Sequence, residues 1–172
     1  MATLVNASSE KPTLSDFQQK EVWEEWIGAE TRSLYFAELA RYYSGLQSWL
    51  TWATLLLASG ASASLLAKLQ PGYSWVTLVL ALLTAGLSLC SVVMQNTKRY
   101  SECTDLHFRW NRLALEYKAL WGDMYLEDAA NELKKLNEKA TELSKSSLAM
   151  PNKEAVVRKW EDHVLASHGI TA

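Results

Sequence analysis

The chain has 172 residues, 17 of them basic and 19 acidic, for a formal net charge of −2. That balance argues against direct nucleic-acid binding, which needs a basic surface to displace counterions from phosphates. Mean hydropathy is −0.10, an average typical of soluble proteins, but it hides a segregation of charge. No Asp, Glu, Lys or Arg occurs over the 26 residues from Tyr42 to Ala67, nor over the 29 from Leu69 to Thr97.

Residues 1–12 mix Ser, Asn, Thr and Lys without periodicity and read as a flexible tail. Thr13, with Asp16 three residues later, is the expected N-cap of an amphipathic cytoplasmic helix over 13–45. There Phe17, Trp23, Trp26, Ile27, Leu34 and Ala37 recur near the helical period, with the glutamates largely elsewhere. Residues 46–97 read as a transmembrane hairpin. Its first span, roughly Trp49–Ala67, is about 28 Å long as a helix, against a hydrocarbon core of about 30 Å. Gln70-Pro71-Gly72 is a turn, and the second span covers roughly Tyr73–Met94. A connection this short permits only an antiparallel pair.

Interface anchors fit this layout: Arg41, Tyr42, Tyr43 and Trp49 at one end of the first span, Lys68, Tyr73 and Trp75 about the turn, and Lys98 and Arg99 after the second span. Basic residues flank the outer ends, whereas the turn has only Lys68. The positive-inside bias therefore puts both termini in the cytoplasm of a multi-pass protein of the plasma membrane.

The second span is rich in Leu and Val; the first is interrupted by Thr51, Thr54, Ser59, Ser62 and Ser64. A helix this polar is better accommodated against protein or water than wholly in lipid. Polar positions form stripes: Thr77, Thr84, Ser88, Ser91 and Gln95 in the second span, and Ser44, Ser48, Thr51, Ala58 and Ser62 in the first. Two uses compete. Small and hydroxylated residues let helices approach and hydrogen-bond; alternatively, several hairpins turn a stripe inward and line a pore. One hairpin cannot enclose a channel, so a pore requires a homo-oligomer.

A cytoplasmic helical region follows over 98–147. Leu106, Trp110, Leu113, Tyr117, Leu120 and Met124 alternate by four and three, a heptad-like stripe available to an oligomer or partner. Gly122-Asp123 interrupts it, and Ala129, Leu133, Leu136, Ala140 and Leu143 resume in another register, which predicts a kink or two packed helices. Residues 148–172 comprise a linker with Pro151 and a last helix, with Val156, Trp160 and Val164 on one face and Gly169 as its stop. The fold expected is thus an all-α membrane protein, a two-helix transmembrane hairpin with cytoplasmic helices on both sides.

For chemistry the sequence offers little. Cys90 and Cys103 form no CxxC pair, and His107, His163 and His168 have no Cys or Ser partner at motif spacing. No phosphate loop, HExxH or GxSxG occurs. We therefore expect no enzyme, no catalytic residues, no metal and no cofactor.

Ala40-Arg41-Tyr42-Tyr43-Ser44 leading into the hairpin, and Leu113-Ala114-Leu115-Glu116-Tyr117 after it, form a layout that resembles the SLATT family. These are bacterial two-transmembrane proteins associated with SMODS and SLOG domains. The resemblance covers roughly Val22–Leu143. It implies a pore-forming or membrane-perturbing anti-phage effector in a bacterial inner membrane. It also implies control by a separate regulatory protein, a nucleotide-signalling enzyme or a reverse transcriptase. The alternative is a non-conducting anchor or scaffold that recruits a partner through its cytoplasmic helices.

Overall fold

A computed structural model of the chain describes residues 13–66 and 74–170. They form five helices, α1 (Asp16–Leu66), α2 (Ser74–Met94), α3 (Asn96–Gly122), α4 (Ala129–Ser147) and α5 (Glu154–Ser167), and among the described residues no strand. The all-helical expectation holds. The expected tail, the turn at Gln70-Pro71-Gly72, Lys68 and Tyr73 lie outside the described residues. The amphipathic helix runs without a break through residue 45 into the charge-free stretch, as α1 continues to Leu66. The chain divides into two compact units, one made of the chain up to Phe36 and from Asp105 onward, the other of Ala37–Thr104.

The first unit is a helical bundle. Its opening cap is Ser15, not Thr13. Ser15 Oγ accepts the Gln18 backbone N–H at 3.3 Å, and Gln18 Oε1 accepts the Ser15 backbone N–H at 3.0 Å. This is a reciprocal capping box that satisfies two otherwise orphaned donors. Thr13 acts at a distance instead: its hydroxyl lies 2.9 Å from the Met124 carbonyl oxygen and 2.7 Å from that of Leu126, tying the start of the chain to the turn after α3. Trp26 and Ile27 are buried on α1 as the periodicity predicts, Trp23, Leu34 and Ala37 are half-buried, and Phe17 is 76% exposed; Val22, outside that pattern, is buried too.

The heptad-like stripe of α3 is core. Leu106, Trp110, Leu113, Tyr117 and Leu120 are all buried, as are Leu133, Leu136, Ala140 and Leu143 of α4. The phase change at Gly122-Asp123 is a turn over residues 123–128, so two packed helices replace one kinked coil. Polar contacts fix their register. Tyr117 Oη donates to Asn137 Oδ1 (2.8 Å), and Asn137 Nδ2 donates to Glu21 Oε1 (2.7 Å), which links α3, α4 and α1. Burial, with Glu25 and Glu21 nearby, raises the Tyr117 pKa and keeps the phenol protonated. Trp110 Nε1 donates to Ser147 Oγ (3.2 Å), and the Arg32 guanidinium lies 4.7 Å from the Trp110 ring centre.

Two more links hold α1. His107 Nδ1 lies 2.9 Å from the Ser33 carbonyl oxygen, and the Ser33 hydroxyl donates to the His107 carbonyl at 3.4 Å. The Tyr35 hydroxyl donates to the Pro151 carbonyl. Helix α5 ends as expected at Gly169, at φ 78. Ile170 N–H reaches the Leu165 carbonyl (3.0 Å) and Gly169 N–H that of Ala166 (3.1 Å), the paired bonds of a Schellman stop.

Two outcomes follow for the bundle. Trp110→Ala removes a ring with 1% exposure, and we expect a loss of about 3–5 kcal/mol in unfolding free energy. Trp160→Ala, at a half-buried position, should cost clearly less; equal losses in denaturant unfolding would contradict the assignment of Trp110 to the core. For Glu116, burial alone would raise the pKa, but hydrogen bonds and charge from Lys139 and Arg112 outweigh it and the net shift is downward. A depressed carboxylate stabilises the fold above its unfolded pKa and loses that contribution as pH falls through the folded value. Glu116→Gln should therefore flatten the fall in melting temperature below about pH 4.5. The effect should be small, under about 1 kcal/mol, because the Lys139 side chain is 54% exposed.

Candidate functional site

The second unit contains the charge-free sequence. α1 from Ala37 onward and α2 run antiparallel: a Cβ placed on Gly60 would lie 3.8 Å from Leu80 Cδ1, and at the other end Arg99 Nη1 donates to Tyr43 Oη at 3.2 Å. The guanidinium also lies 5.8 Å from the Tyr43 ring centre. The phenol's hydrogen bond raises the Arg99 pKa further and holds the cation in place. Tyr43 is therefore buried between the helices. Its neighbour Tyr42 is exposed, as are Arg41, Trp49, Trp75, Lys98 and Arg99. Lys98 lies 3.8 Å from Glu102.

The two outer faces differ in chemistry. On α2, Trp75, Leu78, Leu82, Leu89 and Val93 are each exposed by more than 60%. Their spacing of three, four, seven and four puts them on one apolar stripe. The inward face holds the half-buried Val76, Leu80, Thr84, Leu87 and Ser91. The stretch Leu78–Gly122 is long and apolar enough to cross a membrane, with an 18-residue window of mean hydropathy 2.1, none of it buried. On α1 the outward face mixes Ser48, Thr51 and Ser59 with the exposed Trp52 and Leu55, while Tyr43 and Leu50 turn inward.

The polar stripes read from the sequence are thus divided. Thr84 and Ser91 face into the helix pair, Ser88 and Gln95 are exposed, and Ser48 and Thr51 lie on the outer face of α1. The side chains of Ser62 and Thr77 are outside the described ones. Thr84 Oγ1 donates to the Leu80 carbonyl (2.8 Å), Ser88 Oγ to Thr84 (2.9 Å) and Thr51 Oγ1 to Gln47 (2.9 Å). Each of these hydroxyls is satisfied within its own helix and needs no donor across the pair. The stripe of α3 packs within the chain: Leu106, Trp110, Leu113, Tyr117 and Leu120 are buried in the bundle. Trp160 of α5, the other sequence-derived candidate for a partner face, is half-buried.

The bundle has its own concavity, a cleft of about 660 Å³ between α1 and α5. Trp23, Ile27 and Leu165 form apolar walls, and Lys20, Arg32 and Glu161 put charges of both signs at the rim. His168 Nε2 lies 3.1 Å from Glu30 Oε2 and packs edge-on against Trp26, holding the end of α5 on α1. Among the described residues no cluster of three His, Cys, Asp or Glu side chains is placed to hold a metal.

Sequence reasoning missed three features: the Arg99–Tyr43 clasp, the reciprocal Ser33–His107 pair, and the helix break at Gln95, where φ is 46. The only signal for the break was a polar Gln95-Asn96-Thr97 run directly after apolar sequence. What the described residues define is an all-helical protein, one unit a bundle and the other an antiparallel helix pair. No protein-family model, curated protein or solved structure matches the chain.

Cys103, just past the break, is fully buried. Burial, with Glu102 beside it, pushes the thiol up to about 11. At pH 7.5 its thiolate fraction falls by about two orders of magnitude relative to an unburied thiol. In a Cys90→Ala background, maleimide should modify Cys103 only after denaturation; rapid labelling of the folded protein, read by mass spectrometry, would contradict this burial.

Proposed function

We propose that α1 beyond Ala37 and α2 form a transmembrane hairpin that assembles with further copies into a membrane-perturbing pore. Both termini and the bundle lie in the cytoplasm. The observation that carries this is the difference between the two outer faces. The α2 stripe from Trp75 to Val93 is wholly apolar and exposed, which suits lipid and far exceeds what a soluble monomer leaves to water. The exposed α1 face mixes Ser48, Thr51 and Ser59 with Trp49, Trp52, Leu55 and Leu56, a more amphipathic surface that suits a neighbouring copy or the edge of a water-filled lumen. In this arrangement α2 is the lipid wall and α1 the inner ring. The half-buried Thr84 and Ser91 belong to packing within the hairpin; Ser88, at its edge, is open to a neighbour.

The SLATT resemblance supports the same reading and adds its biology: an anti-phage effector of the bacterial inner membrane, triggered by a separate sensor, either a nucleotide-signalling enzyme or a reverse transcriptase. The scaffold alternative loses the α3 stripe, which is buried, but keeps the half-buried Trp160 and the exposed Phe108 and Leu115 as surface for a partner.

Dye efflux from proteoliposomes and the oligomeric state in nanodiscs test the proposal. The wild-type protein should form oligomers and release dye when activated. Ser48→Leu combined with Thr51→Leu should reduce efflux at least tenfold while insertion persists, whereas Leu82→Ile on the lipid stripe should have little effect. A strictly monomeric hairpin, or efflux indifferent to the α1 double substitution, would sink the pore assignment.

A further inference from the structure

We propose that the Gln95–Asn96 junction is a built-in hinge, at which α2 and the first turns of α3 exchange between the broken form described here and one continuous helix. Two adjacent residues are unfavourable in the broken form, for unrelated reasons. Gln95 has φ 46, the left-handed region in which a side chain with a Cβ is disfavoured and glycine is the usual occupant. Asn96 is 1% exposed, and neither its Nδ2 nor its Oδ1 has a hydrogen-bond partner among the described residues. A buried carboxamide without partners loses its hydration with no return. Both penalties disappear if Gln95 adopts helical angles and the turn that buries Asn96 rotates outward.

A clasp offsets these costs. One turn beyond the break, Arg99 is held by the Tyr43 hydroxyl at 3.2 Å and lies over its ring; the Arg99 N–H bond to the Gln95 carbonyl (3.0 Å) is helical and common to both forms. The broken form is thus held by one contact to α1 and opposed by two local terms, the balance expected of a two-state element that a modest stimulus can shift. The hinge lies where the charge-free segment ends, so it couples the tilt of α2 to the position of the first residues of α3. Its gating role rests on the pore reading; its existence does not.

The test uses the full chain in nanodiscs, with spin labels at Val79→Cys and Ser101→Cys and with Cys90 and Cys103 replaced by alanine. Both labelled positions are exposed. They are 22 residues apart, so a continuous helix separates their backbones by about 33 Å, and the broken form by less. Gln95→Gly removes the left-handed penalty and should raise the ratio of broken to continuous form about tenfold. Asn96→Leu removes the unpaired amide and should shift the distances the same way. Gln95→Val and Tyr43→Phe should shift them toward the longer distance.

Opposite shifts in the glycine and valine variants, at unchanged helical circular dichroism, support the hinge. Identical distance distributions in the two overturn it. Dye efflux is measured on the same variants. Efflux that tracks the distances supports gating by this hinge; opposite distance shifts with no efflux from any variant leave the hinge standing and sink the pore reading.

Discussion

Water solvates the outer face of α2 poorly, and the described residues leave most of it open. The stripe from Trp75 to Val93 amounts to five large apolar side chains, each more than 60% exposed. At roughly 25 cal/mol per Å² of apolar area, leaving such a surface in water costs several kcal/mol, comparable to the whole stability of a small domain. Either lipid or more protein must cover it. The antiparallel partner in α1 covers only the inner face, through contacts such as Gly60 against Leu80.

The same constraint explains why polar chemistry is arranged as it is around the pair. Hydroxyls in a low-dielectric setting must be satisfied, and those of Thr51, Thr84 and Ser88 are, by carbonyls one turn back in their own helices. These bonds leave the surfaces of both helices free of obligate partners. The α1 face can then meet water or a second copy at little cost. Charge returns where the apolar stretch ends, and there the Arg99–Tyr43 clasp, the left-handed Gln95 and the unpaired Asn96 crowd into a few residues. Strain collects where the apolar stretch ends.

The bundle obeys the opposite rule. Its stripes face each other, and its polar links run between helices: Tyr117 to Asn137 to Glu21, and Trp110 to Ser147. Such bonds discriminate one register from another, because a slip leaves a half-buried donor or acceptor unpaired. A mixed-charge cleft of about 660 Å³ lies between α1 and α5, and the His168–Glu30 contact holds the helix that forms its second wall.

What the sequence alone determined was everything that depends on composition and period. The all-helical class, the charge-free stretch, the break after Gly122, the last helix with its Gly169 stop and the contrast between a polar first span and an apolar second all follow from side chains read along one dimension. A period of 3.6 says which residues share a face; it does not say what that face meets. Only the tertiary structure decided that the Leu106–Leu120 stripe closes on the chain's own core, that Tyr43 turns inward onto Arg99, that Ser15 caps α1 while Thr13 reaches the far turn, and that Ser48 and Thr51 face outward while Thr84 faces in. Each of these depends on partners distant in sequence, and for such contacts local pattern carries no information. The helix break at Gln95 is the sharpest instance: glutamine has no local preference for left-handed angles, so only the packing about Tyr43, Asn96 and Arg99 places it there.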